Sequence, residues 1–323
     1  MNKRNLKIIG VVLFFLIISI ATFFDGESAE QVAQTGSSIE LADQLEPDIL
    51  DEEGLPAGSK EEAVLPPTKN PKLKVHFIDV GQGDAILIQS PARKAMLIDA
   101  GENKEGPEVV DYIRKQGISK LDIVVGTHPH TDHIGGLDRV IKAFDIGQVV
   151  MPNKTHPTQT FKNVLTAIRD KGLKITAAKP GQVLDLGPGV TASVLAPIGN
   201  NYEDLNNFSV VIRLTYGETS FLFTGDAESE SEADLLAANT GLKATVLKVA
   251  HHGSITSTTE EFLDRVKPRY GVIMAGKDNS YDHPHSEILN RLAKAGVKIY
   301  RTDKNGTILA VSNGSEIEFY TSR

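Results

Sequence analysis

Apolar residues fall along this chain in three successive patterns. The first is an unbroken run from Ile8 to Phe24 (IIGVVLFFLIISIATFF), free of charge and preceded by Lys3, Arg4 and Lys7. It lies at the short end of a membrane span and is longer than most signal-peptide cores. Basic residues ahead of it predict that the bulk of the chain is exported. Residues 1–28 are therefore expected to be a signal peptide or an N-terminal membrane anchor. Residues 29–72 hold scattered apolar positions, no aromatic residue, and Pro47, Pro56, Pro66, Pro67 and Pro71. That pattern predicts a solvated, extended tether.

From Leu73 the pattern becomes that of packed elements, so 73–323 is expected to be one folded domain. Short apolar runs at Leu73 to Val80, Asp84 to Gln89 and Ala95 to Ile98, parted by Gly- and Pro-bearing turns, predict antiparallel strands. Helical periodicity follows at Glu108 to Lys115, then a buried-strand run at Leu121 to Val125. Further helices are predicted near 134–144, 159–171, 228–239, 258–266 and 285–295. Further strands are predicted near 146–151, 190–195, 209–216, 219–224, 244–250, 270–275, 297–301, 307–311 and 316–321. Ser257 with Glu260 fits a capping box for the helix at 258–266. Strands and helices alternate, with hairpins and crossovers both present. The class expected is α/β, with mixed sheets covered by helices.

Composition changes this picture in two places. The formal net charge is −8, but 12 of the 42 acidic residues lie between 25 and 72. The remainder is near neutral and lacks the basic excess of a dedicated nucleic-acid binder. Cysteine is absent, which excludes disulfides, thiolate metal sites and a cysteine nucleophile. Any transition-metal site must then be built of His, Asp and Glu.

Such a set follows the strand ending at Val125. His128-Pro129-His130-Thr131-Asp132-His133 puts three imidazoles and a carboxylate within six residues, between a strand and an apolar helix. In an extended loop His128 and His130 can point to one side, while Asp132 and His133 open the helix and can face a second ion. Gly135 and Gly136 permit close backbone approach there. Asp79, Gly81, Gly83 and Asp84 read as a tight hairpin beside this loop, and Lys277 with Asn279 as a solvated turn.

The motif resembles, residue for residue, the HxHxDH signature of the metallo-β-lactamase superfamily. Phe223-Thr224-Gly225-Asp226 resembles the family's strand-end motif. Asp79-Val80-Gly81-Gln82-Gly83-Asp84, Ile98-Asp99-Ala100-Gly101, Asn206-Asn207-Phe208-Ser209, Lys248-Val249-Ala250-His251-His252-Gly253-Ser254 and His283-Pro284-His285 resemble the branch typified by the extracellular hydrolase domain of ComEC-type competence proteins. The resemblance covers about 73–323. It does not extend to the polytopic channel of those proteins, so a transport function does not carry over.

The resemblance implies an αββα sandwich of two mixed β-sheets flanked by helices, and two divalent ions, Zn or Mn. His128 and His130 would hold one ion, Asp132 and His133 the other, and Asp226 would bridge them. His251 is the preferred further ligand, with His252 as second choice or as a donor to substrate. Asn206, Asn207 and Ser209 stand where many members supply a third histidine to the first ion. A water between two cations is a ready nucleophile near neutral pH. Asp132 or Asp226 would orient it, and His283 is the expected acid, with His285 and His252 also within the reading. Asn207, His252, Ser254 and His285 are expected at the substrate.

The function expected is extracytoplasmic, metal-dependent hydrolysis of a phosphodiester in a small molecule, nucleic acid or cell-wall polymer. A carboxyl-ester, lactone or β-lactam hydrolase and a non-catalytic metal-stabilised binding module are the competing readings. The protein would be secreted or held by a membrane tether, and no protein partner is expected.

Overall fold

A computed structural model describes residues 72–239 and 241–323. The expected export segment at 1–28 and, apart from Lys72, the tether at 29–72 lie outside the described residues. Strands β1 (Leu73–Phe77), β2 (Ile86–Gln89), β3 (Ala95–Ile98), β4 (Lys120–Val125), β5 (Asp145–Met151) and β6 (Ile175–Ala177) begin one sheet. A second sheet holds β7 (Val183–Leu184), β8 (Val190–Ala196), β9 (Val211–Tyr216), β10 (Thr219–Phe223), β11 (Val246–Lys248), β12 (Tyr270–Ile273) and β13 (Lys298–Arg301). The chain then returns to the first sheet with β14 (Ile308–Ser312) and β15 (Ile317–Thr321). Strand orders are β15-β14-β1-β2-β3-β4-β5-β6 and β13-β12-β11-β10-β9-β8-β7.

Side-chain alternation explains why two sheets face each other. Val75 and Phe77, Ile86 and Ile88, Met96 and Ile98, and Ile123 and Val125 point inward to meet Ile212, Phe221, Phe223 and Val246 of the second sheet. The intervening Leu87, Leu97 and Val124 point outward, as a period of two requires. Helices α1 (Gly106–Lys115), α2 (Thr131–Ile134), α3 (Leu137–Ala143) and α4 (Gln159–Asp170) cover that outer face. Helices α5 (Ser229–Ala237), α6 (Glu260–Val266) and α7 (Ser286–Lys294) cover the outer face of the second sheet. The short α8 (Thr302–Asn305) follows β13. The result is the expected αββα sandwich with mixed sheets. Among the described residues no helix is long and apolar enough to cross a membrane.

Two local expectations are corrected. The helix expected at 134–144 is the shorter α3, which starts at Leu137 and is separated from α2 by Gly135 and Gly136. A Cβ on Gly135 would lie 2.4 Å from the Asn103 backbone nitrogen, and one on Gly136 2.3 Å from the Ala100 carbonyl. The cap of α6 is Thr259, whose side chain accepts from Phe262 N, whereas Ser257 Oγ donates to the Ala250 and Ser254 carbonyls.

What positions the site is strand direction. β3, β4 and β5 run parallel, as do β10, β11 and β12. The ends of β4, β10 and β11 therefore open at one edge of the sandwich, the usual place for a site in sheets of this kind.

Candidate metal centre

Eight of the nine histidines gather at that edge. Their rings form a connected series in which each neighbouring pair lies within 6.2 Å: His156 with His130, His130 with His128, His128 with His133, His133 with His252, His252 with both His251 and His283, and His283 with His285.

The loop after β4 is set by Asp99, which follows β3 and is fully buried. It takes up φ +57° and accepts from Thr127 N at 2.8 Å and Thr127 Oγ1 at 2.6 Å. His133 Nδ1 donates to Asp99 Oδ2 at 2.8 Å, turning Nε2 away from the carboxylate. This is the carboxylate–histidine arrangement that orients metal ligands and raises their basicity. His128 is directed in the same manner. Its Nδ1 lies 3.1 Å from Thr127 Oγ1 and 3.3 Å from Ser209 Oγ, and its Nε2 lies 3.1 Å from His130 Nδ1.

From the second sheet, β10 ends in a turn through Gly225 at φ +52°. That turn delivers Asp226, whose backbone N–H donates to Ser209 Oγ at 3.0 Å. After β11, His251, His252 and Gly253 all take left-handed conformations, with φ of 48°, 55° and 86°. Two consecutive non-glycine residues there cost about 1 kcal/mol or more each. Hydrogen bonds from His251 N to the Gly225 carbonyl and from Ser254 N to the His251 carbonyl hold the turn. Its consequence is that adjacent imidazoles separate. His252 Nδ1 donates to the Met274 carbonyl at 2.8 Å and sends Nε2 inward. His251 Nδ1 faces Glu228 Oε1 at 3.0 Å.

Asp132, His133, Asp226 and His252 thus form one ligand cluster. Asp226 Oδ2 lies 3.1 Å from His133 Nε2 and 3.4 Å from His252 Nε2. Asp132 Oδ2 lies 3.3 Å from His252 Nε2 and 3.8 Å from His133 Nε2. Although so close, His133 Nε2, His252 Nε2 and Asp226 Oδ1 have no hydrogen-bond partner among the described residues. Buried polar atoms rarely stay unpaired. Here two imidazole nitrogens and carboxylate oxygens converge instead, a donor set suited to a divalent cation. A metal ion therefore fits the cluster.

Electrostatics agree with that geometry. Burial disfavours charge on His133, yet Asp226, Asp132 and Asp99 outweigh it and raise its pKa well above the usual histidine value. His252 is likewise opposed by burial but lifted to about 9 by Asp226 and Asp132. Burial alone would raise Asp132 and Asp226; the His133 and His252 charges overcome it and hold both carboxyls below the ordinary range. Burial, followed by the His133 charge, lowers His128 well below its ordinary value. Burial first, then the His252 and His251 charges, lowers His283 to about 4.

The cluster lies in an open cleft of about 370 Å³, bordered by Gln82, His156, Asn206, His251, Tyr281 and His283. Tyr281 is 62% exposed and stacks on His283 at 5.7 Å between ring centres. Asn279 fixes this lip: its Nδ2 donates to the Gly276 and His283 carbonyls, and its Oδ1 accepts from Tyr281 N and His283 N.

The sequence model described as Metallo-beta-lactamase superfamily matches residues 78–277. The chain belongs to this superfamily. It is 34% identical over 252 residues to ComE operon protein 3 of Bacillus subtilis (strain 168), covering 73% of this chain and 32% of that protein. It is 31% identical over 261 residues to Recombination protein 2 of Haemophilus influenzae, covering 78% and 30%. It is 30% identical over 232 residues to Competence protein ComA of Neisseria gonorrhoeae, covering 71% and 31%. The chain spans about a third of the length of the curated relatives it matches. It is a metallo-β-lactamase-fold hydrolase related to competence proteins.

Within this metallo-β-lactamase fold, the residues singled out in the sequence separate by role. His128, His130, Asp132, His133 and Asp226 come together. His252 stands in the ligand cluster, and His251, expected to precede it as ligand, does not. Asn207 is buried away from the cleft, and its Oδ1 accepts from Glu228 N and Ser231 N at the start of α5. Ser254 is also buried, with Oγ bonded to Thr256. His285 accepts from Ile255 N through Nδ1 and precedes α7. None of these three borders the cleft. His283 does border it, with its pKa lowered to about 4 by burial and the neighbouring His252 and His251 charges.

Other residues were not given a part by the sequence. Asp99 orients His133, Glu228 holds His251, and His156 reaches the cleft from the loop before α4. Asp84, expected in a hairpin turn, pairs in the interior with Lys248 at 2.6 Å. The Asp99 and Asp84 motifs were visible, but nothing local in the sequence shows which side chain a buried carboxylate meets.

Proposed function

We propose that the chain is a metal-dependent phosphodiester hydrolase acting outside the cytoplasmic membrane. The observation carrying this reading is His251, which borders the cleft with Nδ1 held by Glu228 at 3.0 Å and Nε2 3.7 Å from Asp226 of the ligand cluster. Asp132, His133, Asp226 and His252 would hold one ion, and His128 with His130 a second beside Asp226. With no thiolate in the chain, zinc and manganese both suit these nitrogen and oxygen donors. When bound, such ions lower the pKa of water and take up negative charge from the reacting phosphoryl group.

The chain's own residues then account for the rest. As water oxygen bonds to phosphorus and the bond to the leaving oxygen breaks, that oxygen needs a proton. His251 supplies it from Nε2, which lies 3.7 Å from Asp226 Oδ2. The proton released by the attacking water restores His251. Glu228 keeps Nδ1 protonated and the ring pointed into the cleft. Gln82 and Asn206 offer hydrogen bonds to phosphoryl oxygens, and Tyr281 offers a flat face to a ring next to the scissile bond. The relatives named for competence and recombination support a nucleic acid as the polymer, and the apolar run Ile8–Phe24 supports export.

Turnover of bis(p-nitrophenyl) phosphate and of single-stranded DNA with added Mn²⁺ or Zn²⁺ tests this, with a lactone and a cephalosporin as comparison substrates. Metal-dependent cleavage of the phosphodiesters alone is expected, lost in Asp226→Asn. Absence of any phosphodiester turnover, or turnover confined to the lactone or cephalosporin, refutes it. General acid catalysis contributes roughly 10²–10⁴-fold. His251→Gln should therefore slow alkyl phosphodiesters by about that factor, yet slow p-nitrophenyl esters far less, since p-nitrophenolate leaves without a proton. Equal losses on both would remove His251 from the acid role.

A further inference from the structure

The ligand cluster is drawn from two separate sheets. Asp132 and His133 follow β4 of the first sheet; Asp226 and His252 follow β10 and β11 of the second. No described strand pairing joins the two sheets, so the distance between the two halves of the cluster rests on contacts that cross between them.

One such contact lies next to the cluster and is ionic. Lys248, the last residue of β11, has a fully buried side chain, and Asp84, two residues ahead of β2, is 1% exposed. Lys248 Nζ lies 2.6 Å from Asp84 Oδ2. Each partner is tied to the ligand-bearing loops. Lys248 Nζ donates to the Gly225 carbonyl at 3.2 Å, directly before Asp226. Asp84 N donates to the Asp132 carbonyl at 3.2 Å, and the Asp84 carbonyl accepts from Gly101 N, two residues beyond Asp99. Asp84 Oδ1 also lies 3.5 Å from His252 Nδ1. Gly83, at φ +125°, lets this loop press on the Asp132 carbonyl, which a Cβ there would approach to within van der Waals overlap.

We propose that the Lys248–Asp84 ion pair is an inter-sheet clasp, a positioning device that holds the Asp132/His133 and Asp226/His252 halves of the centre at metal-binding distance. The proposal rests on the metal-binding reading of the cluster. Packing alone is a weak explanation for a buried ion pair, because replacing both partners by neutral groups of similar shape is often harmless or even stabilising, whereas removing one leaves a costly lone charge. The position of the pair, bonded to the loops of Asp132 and Asp226 rather than to the remote core, is what assigns it to the site.

The test compares full-length wild type with Asp84→Asn/Lys248→Met, which removes both charges while keeping their shapes. Thermal unfolding is measured on the metal-free proteins, and Zn²⁺ and Mn²⁺ affinity by competition with a chelator. Lys248→Met alone should unfold at markedly lower temperature, since Asp84 is left uncompensated. The double variant should unfold near the wild-type temperature yet bind both metals roughly 10–100-fold more weakly, the usual cost of losing an outer-shell partner. Wild-type affinity in a stably folded double variant overturns the clasp. So does a double variant that cannot fold, which would make the pair a requirement of the whole sandwich. Wild type that binds neither metal overturns the metal reading itself, a result distinct from either.

Discussion

Four imidazoles in this chain differ chiefly in what faces Nδ1. Asp99 takes it in His133 and the Met274 carbonyl in His252, so both present Nε2 to the same point. Glu228 takes it in His251, leaving Nε2 at the cleft. His76, on the helix-facing side of β1, is closed at both nitrogens, with Tyr112 OH 2.9 Å from Nδ1 and Gln89 Oε1 3.0 Å from Nε2. Burial pushes its pKa down to about 4 against a partial counter-effect from Gln89. The unfolded chain therefore binds a proton at this residue below about pH 6.5, and the native protein does so only near pH 4. Stability must fall as pH drops through that window, by about 3 kcal/mol from this residue. Urea unfolding of wild type and His76→Gln between pH 7 and pH 4 measures it. The variant should show a shallower loss toward acid, and parallel curves would show that His76 does not titrate this way.

At the scale of elements, the helix starts decide which polar residues are free for chemistry. Asn207 sits in the turn Leu205–Phe208 and receives two backbone N–H groups from the start of α5. Deleting a buried acceptor of this kind costs about 1–3 kcal/mol. Asn207→Ala is thus expected to lower Tm by several degrees while KM for a phosphodiester stays within twofold. A raised KM at unchanged Tm would return Asn207 to the substrate.

The same scale shows what the sequence could and could not convey. Long, strictly patterned segments were legible: the alternation of Leu73, Val75 and Phe77, the helical period of α4, and the ligand motif between β4 and α2. Strands β6 and β7 were not, because three and two residues are too few to display a period. The α2–α3 break was signalled by Gly135-Gly136, but its cause is a neighbour distant in sequence. The order of His251 and His252 was illegible for a sharper reason. In an extended strand either could face the cluster, and the left-handed turn that reverses them is imposed by tertiary hydrogen bonds.

Over the whole molecule, a cluster that straddles two sheets links metal uptake to the stability of the sandwich. The unfolded chain has no preformed site, so binding adds to folding stability, about 2.7 kcal/mol when free metal is 100 times Kd. Protons compete for the same nitrogens. In the metal-free protein His252 titrates near 9 rather than near 6.5. Its stabilising contribution is therefore complete below about pH 6.5 and is lost as pH rises through 9. His133 is raised as well, so it carries a proton at neutral pH and metal must displace it. Metal affinity should consequently strengthen over the same rise in pH that weakens the metal-free protein, and the gap in Tm between Mn²⁺- or Zn²⁺-loaded and chelator-treated protein should widen from pH 6.5 to 9. At pH 7.5 the ion bound by Asp132, His133, Asp226 and His252 should release roughly one to two protons. Calorimetric titration in two buffers of different ionisation enthalpy reads that number directly. Binding without proton release, or a Tm gap that narrows toward alkali, would show that His133 and His252 are not the nitrogens that metal and protons share.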